Sequence, residues 1–136
     1  MKVIIDTNIW ISFLLGHQIQ IVHRMLTDLR FDVYVCERLL DEIYDVARRD
    51  KIRKKVSLSD VKDLLAIIQA FCQFVDIDVK ANSSSIRDPK DLYLLSLAET
   101  IGADYIVSGD ADLIDLGEYK RTRMIKFTDF KTMMLY

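Results

Sequence analysis

Val3-Ile4-Ile5-Asp6-Thr7-Asn8 sets a short apolar run directly against three polar residues. The run reads as a strand buried on both faces, of the kind found in the middle of a parallel sheet. Asp6 then falls at its carboxyl end, where open α/β sheets place their ligand sites. The pattern recurs at Tyr105-Ile106-Val107, which leads through Ser108 and Gly109 into Asp110.

Outward from these strands, helical and strand patterns alternate. Ile9 to Leu15 reads as a packed helix stopped by Gly16. A second helix, from about Gln18 to Leu29, keeps Ile19, Val22, Met25, Leu26 and Leu29 on one face. Phe31 to Val35 is the second strand, and Glu37 to Arg49 carries Leu39, Leu40, Ile43, Val46 and Ala47 at helical spacing. Ser57 to Asp60 resembles a capping box with Asp in place of Glu, opening a long helix to about Phe74. Val75 to Val79 alternates strictly and predicts a third strand at an edge, followed by a loop at Asn82 to Ser85. Asp88-Pro89 predicts a helix start, with a capping carboxylate and proline at the first helical position. That helix runs to Ile101, and Gly102 closes it. A short helix at Leu113 to Leu116, a fifth strand at Met124 to Phe127 and a terminal helix at Thr128 to Leu135 complete the chain. Such alternation predicts an α/β fold on a parallel sheet.

At 136 residues, 51% hydrophobic and 29% charged, the composition is that of one globular domain and not of a disordered chain. Cys36 and Cys72 fit no disulfide or zinc spacing and lie among apolar residues, so buried free thiols in a reducing compartment are expected. No basic leader precedes the first strand and no apolar stretch reaches the roughly 20 residues that span a bilayer, which predicts a cytoplasmic protein. The net charge of −2 argues against a general nucleic-acid binder. It leaves room for a nuclease, because an acidic metal site subtracts from a basic surface. Two basic runs are present: Arg48, Arg49, Lys51, Arg53, Lys54 and Lys55, and then Lys120, Arg121, Arg123 and Lys126.

Asp6, Glu42, Asp91 and Asp110 need weighing together. Each has a structural explanation. Asp6 could cap the helix after it, Glu42 could be a solvated charge between Asp41 and Asp45, Asp91 could answer the helix dipole, and Asp110 with Asp112 could be turn residues beside Gly109. Glu42 falls one to two turns in from the carboxyl edge of the sheet. The helix of Asp91 feeds the fourth strand, which by topology alone sends its start to the opposite edge. Carboxylates converging in one cleft repel one another and call for a counter-charge. Mg²⁺ or Mn²⁺ supplies it, and either ion can activate water and stabilise charge on a phosphodiester. His17 and His23 match no zinc motif and read as surface or structural residues.

Four segments carry a family resemblance: the opening Val-Ile-Ile-Asp-Thr-Asn, Leu40-Asp41-Glu42-Ile43, Asp88-Pro89-Lys90-Asp91, and Gly102 through Leu113. Together they resemble the PIN domain, and more narrowly its toxin-type, VapC-like members. The resemblance implies a three-layer α/β/α sandwich with a central parallel sheet of about five strands. It also implies a metal-dependent endoribonuclease, the toxin of a type II toxin–antitoxin pair, that is homodimeric and silenced by an antitoxin protein. By position, Asp6, Glu42, Asp91 and Asp110 match the family's acidic quartet and would ligate Mg²⁺ or Mn²⁺. Asp112 would be an accessory acid, while Thr7, Asn8 and Ser108 match polar positions that orient the acids. Lys90 and Leu113 depart from the family pattern.

Three rival readings are weighed against this one. A phosphotransferase of the haloacid dehalogenase type needs a second Asp where Asn8 stands. A nucleotide binder needs a glycine-rich turn that four glycines do not form. A catalytically inert PIN-like RNA-binding or interaction module would keep the fold without the metal.

Overall fold

A computed structural model describes residues 1–77 and 91–135. Its sheet is built around β1 (Lys2–Ile5), whose Val3, Ile4 and Ile5 are fully buried, as the apolar run demands. β1 pairs in parallel with β2 (Asp32–Val35) on one side and β4 (Tyr105–Val107) on the other. Beyond β2 lies β3 (Gln73–Phe74). Beyond β4 lie β6 (Thr122–Ile125) and then β5 (Glu118–Tyr119), giving the order β3-β2-β1-β4-β6-β5. The chain moves outward from β1 through β2 and β3, then returns to the far side of β1 to lay down β4. The carboxyl ends of β1 and β4 therefore form the switch point at which such sheets open a crevice.

Helices flank the sheet. α1 (Thr7–Leu15) packs on α2 (Ile19–Thr27), α3 (Glu37–Ala47) and α5 (Leu58–Phe71), with the short α4 (Asp50–Arg53) against α3. α6 (Leu92–Ile101) lies on β1 and β4, α7 (Ala111–Leu116) on β6, and α8 (Phe127–Leu135) ends the described chain. Trp10 is wholly buried beneath the crevice, and its indole Nε1–H donates to the carbonyl of Ile5 at 2.9 Å. At the start of α5, Ser57 Oγ accepts the Asp60 N–H at 3.1 Å, as the capping-box reading requires. Cys36 and Cys72 are buried free thiols, and burial pushes the Cys72 thiol up to about 12. Among the described residues no helix is long and apolar enough to cross a membrane.

Two expectations change. The sheet has six strands among the described residues, not five. The addition is β5, a two-residue strand antiparallel to β6 across a turn at Lys120 and Arg121, with Lys120 at φ 53°. The third strand comes earlier than Val75–Val79: α5 stops at Phe71, Cys72 turns into extended backbone, and Gln73–Phe74 pair at once with β2. Val75 still donates its N–H to the carbonyl of Val35 at 3.0 Å, while Asp78 and Val79 lie outside the described residues. The expected start at Asp88–Pro89 and the Asn82–Ser85 loop lie outside them as well; the described helix begins at Leu92 with Asp91 at its N-cap.

Gly102 closes α6 in the left-handed region, at φ 66° and ψ 49°. A Cβ there would meet only the Arg121 side chain, at an ordinary 3.8 Å. The cost of Gly102→Ala is therefore conformational, about 1 kcal/mol. Urea denaturation should show a lower midpoint with an unchanged slope; an unshifted midpoint would contradict this account of the cap.

Candidate active site

Asp6, Glu42, Asp91 and Asp110 line one cleft of about 400 Å³, together with Thr7, Asn8, Ile11, Ser12, Leu15, Val46 and Arg49. The cleft sits at the β1/β4 switch point. Asp6 follows β1 directly, Asp110 lies three residues beyond β4, and Glu42 is in the second turn of α3. Asp91 reaches the same place, and the topological objection to it fails for a simple reason. A helix that feeds a parallel strand runs antiparallel to that strand and ends at the amino edge. α6 therefore begins at the carboxyl edge, and Asp91 with it.

Asp6 is buried and held on both oxygens: Oδ1 accepts the Thr7 N–H at 2.7 Å, and Oδ2 accepts the Ser108 hydroxyl at 2.6 Å. The same Ser108 oxygen accepts the Asp110 N–H at 2.9 Å. One buried hydroxyl thus joins the acid after β1 to the acid beyond β4. Asp110 Oδ1 accepts the Asp112 N–H at 2.7 Å and so caps α7. The capping reading of Asp6 is therefore correct, Asp110 is a helix cap where a turn residue was the structural reading, and each lines the cleft as well. Asp91 also stands at an N-cap, but its side chain makes no capping bond.

The expected polar supports divide by role. Ser108 orients Asp6 through its side chain, whereas Thr7 does so through its backbone. Asn8 acts on the loop instead: its Oδ1 accepts the Gly109 N–H at 3.4 Å. Asp112 does not line the cleft and meets the site through its backbone. Asp41 and Asp45 are exposed, which separates them from half-buried Glu42. His17 and His23 are exposed too, with the His23 ring edge-on to Phe71. Asp88 lies outside the described residues.

Two residues, one lining the cleft and one behind it, were not singled out by sequence. Arg49 appeared only as one member of a basic run, yet it stands two residues past the end of α3, at the N-cap of α4, and lines the cleft beside Glu42 and Val46 of α3. Two members of the second run are engaged elsewhere: Lys120 pairs with Glu99, and Arg121 with Asp104 at 3.0 Å. The other residue is Tyr93, almost fully buried, whose hydroxyl donates to Glu42 Oε2. Its only sequence signal is a polar ring two positions after Asp91 in an apolar helix.

All donors in the cleft are oxygens, which suits a hard cation such as Mg²⁺ or Mn²⁺. Among the described residues no three of His, Cys, Asp and Glu form a ready-made metal cage. A cation here would therefore be held by few carboxylates and keep several waters, as Mg²⁺ commonly is.

The family described as PIN domain (PIN_3) matches residues 2–112, a span that includes all four acids. Among solved structures, the PIN domain of human SMG5 is similar over 98% of each chain, with a TM-score of 0.54 and 13% identity, a likeness of fold. No curated protein matches the chain.

The acids are not electrostatically independent. Burial pushes Asp6 up from 3.8 to about 6; the bonds from Ser108 and Thr7 oppose the rise, and the charges of Glu42 and Asp110 add to it. Folded Asp6 therefore holds its proton where the unfolded chain has released it. Its contribution to stability is full below pH 4 and is lost as pH rises toward 6. Asp6→Asn removes this dependence. In metal-free buffer, the stability of the variant minus that of the parent should climb by on the order of 3 kcal/mol from pH 4 to 7. Urea titrations at each pH measure the difference, and a flat difference would refute the burial of the charge.

Proposed function

Because this chain belongs to the PIN domain family, we propose that it is a metal-dependent endoribonuclease whose site is carried by Asp6, Glu42, Asp91 and Asp110. The observation that carries this reading is the meeting of carboxylates from four separate segments in one cleft at the switch point. Capping accounts for Asp6 and Asp110 but for neither Glu42 nor Asp91, and convergence of all four raises the energy of every charge involved.

Asp6, Asp91 and Asp110 would hold Mg²⁺ or Mn²⁺ directly or through bound water, and Glu42 would hold the ion or orient the attacking water. Such an ion supplies counter-charge and makes water a usable nucleophile near neutral pH. Ser108 and the Thr7 amide keep the Asp6 carboxylate aimed, which removes reorganisation from the reaction. Arg49 offers the substrate phosphate a cation in a wall that otherwise repels it. The single-stranded RNA backbone brings its own charge to this arginine, so Arg49 serves binding. A toxin role, an antitoxin partner and a homodimer extend the same reading beyond the cleft, as the VapC-like resemblance of the sequence implies. A growth arrest on expression, relieved by the product of an adjacent reading frame, tests that extension.

The nuclease reading is tested on labelled single-stranded RNA with Mn²⁺. Cleavage should stop in EDTA and fall on the order of 100-fold or more in Asp6→Asn and in Asp110→Asn. Equal cleavage by parent and Asp6→Asn would sink the assignment, and RNA binding without any saturable Mn²⁺ uptake would favour the inert module. In EDTA, Arg49→Gln should weaken RNA binding and flatten its log–log salt slope by about 0.7. An unchanged slope would remove Arg49 from the phosphate contacts.

A further inference from the structure

We propose that Tyr93 is the positioning residue for Glu42, an inference that rests on the metal-dependent reading above. Glu42 is half-buried on α3, and a glutamate side chain has three rotatable bonds with which to leave the cleft. Tyr93 limits that freedom. Its hydroxyl donates to Glu42 Oε2, while its ring is nearly inaccessible to solvent within α6. The Arg38 guanidinium lies 5.0 Å from the ring centroid and closes over it, so the phenol has little room to turn. A carboxylate has two oxygens. With Oε2 accepting from the phenol, Oε1 remains to serve the cleft that Glu42 lines.

The bond also links helices. Glu42 belongs to α3 and Tyr93 to α6, whose N-cap is Asp91. Tyr93 therefore sets Glu42 relative to an acid two residues before it in the chain. Ser108 does the same for Asp6 and Asp110. Ser108 thus bonds to Asp6 and to the Asp110 backbone, whereas Tyr93 bonds to Glu42 and is tied to Asp91 through two residues of α6 and its cap. Outer partners of this kind orient metal-binding groups, and their removal typically costs 10–100-fold in metal affinity. A phenol kept only to satisfy buried polarity would show no such effect.

Tyr93→Phe keeps the ring and deletes the donor. Isothermal titration of the full chain with Mn²⁺ should show affinity lower by about 10-fold or more. In RNA cleavage, kcat should fall while KM stays within about threefold. Ile68→Val, in the buried α5 core, is a stability-loss control and should bind Mn²⁺ as the parent does. If Tyr93 acts through Glu42, Tyr93→Phe in a Glu42→Gln background should change Mn²⁺ affinity by less than about twofold. A parent that binds Mn²⁺ while Tyr93→Phe binds it equally well, or more tightly, overturns the proposal and leaves the nuclease reading standing. Additive losses in the double variant also overturn it. A parent that takes up no Mn²⁺ removes the nuclease reading and this inference together.

Discussion

The Ser108 hydroxyl, buried between Asp6 and the Asp110 amide, is the constraint on which the site depends. It donates to one acid and accepts from the backbone of another, using both capacities of a hydroxyl at once. Around it the strands do the remaining work. Asp6 N–H donates to the carbonyl of Val107 and Ser108 N–H to that of Ile125, so the ladders of β1, β4 and β6 extend directly into the cleft floor. Asp6 and the loop that leads to Asp110 are thus tied into the central sheet. Rigidity matters here because like charges left mobile would move apart.

The apolar run before Asp6 was legible because a strand buried on both faces leaves no ambiguity of period. The run at Tyr105 was legible for the same reason. β3 and β5 were not, since two-residue strands carry no period at all; Gln73–Phe74 and Glu118–Tyr119 exist only because β2 and β6 present open edges. Val75 to Val79 misled by alternating well at a place where the helix had already ended. Sequence favours the segment with the stronger pattern, whereas the sheet takes the segment that arrives first.

The site shows a different limit. All four acids could be picked from the chain, but the direction of α6 was misjudged for Asp91, and the supporting residues were harder still. Tyr93 sits among leucines and looks like core, which it is. Only the position of Glu42 on another helix gives its hydroxyl a purpose. Arg49 was hidden in a run of six basic residues whose members look alike until the end of α3 is known. Structural and chemical explanations of one residue also need not compete. Asp6 and Asp110 cap helices and line the cleft because helix starts and strand ends coincide at this edge of the sheet.

The Asp6–Ser108 bond spans 102 residues of chain. A ribosome makes the carboxylate long before its hydroxyl partner. At about 5–20 residues per second, several seconds or more separate the two. β1 cannot be fully paired before β4 emerges, and Asp110 follows only after that. Throughout this interval the nascent chain has the first acid without its partner, and the cleft does not exist. A chain ordered in this way cannot assemble the cleft until Ser108 and Asp110 have been made, a delay that arises from strand order alone.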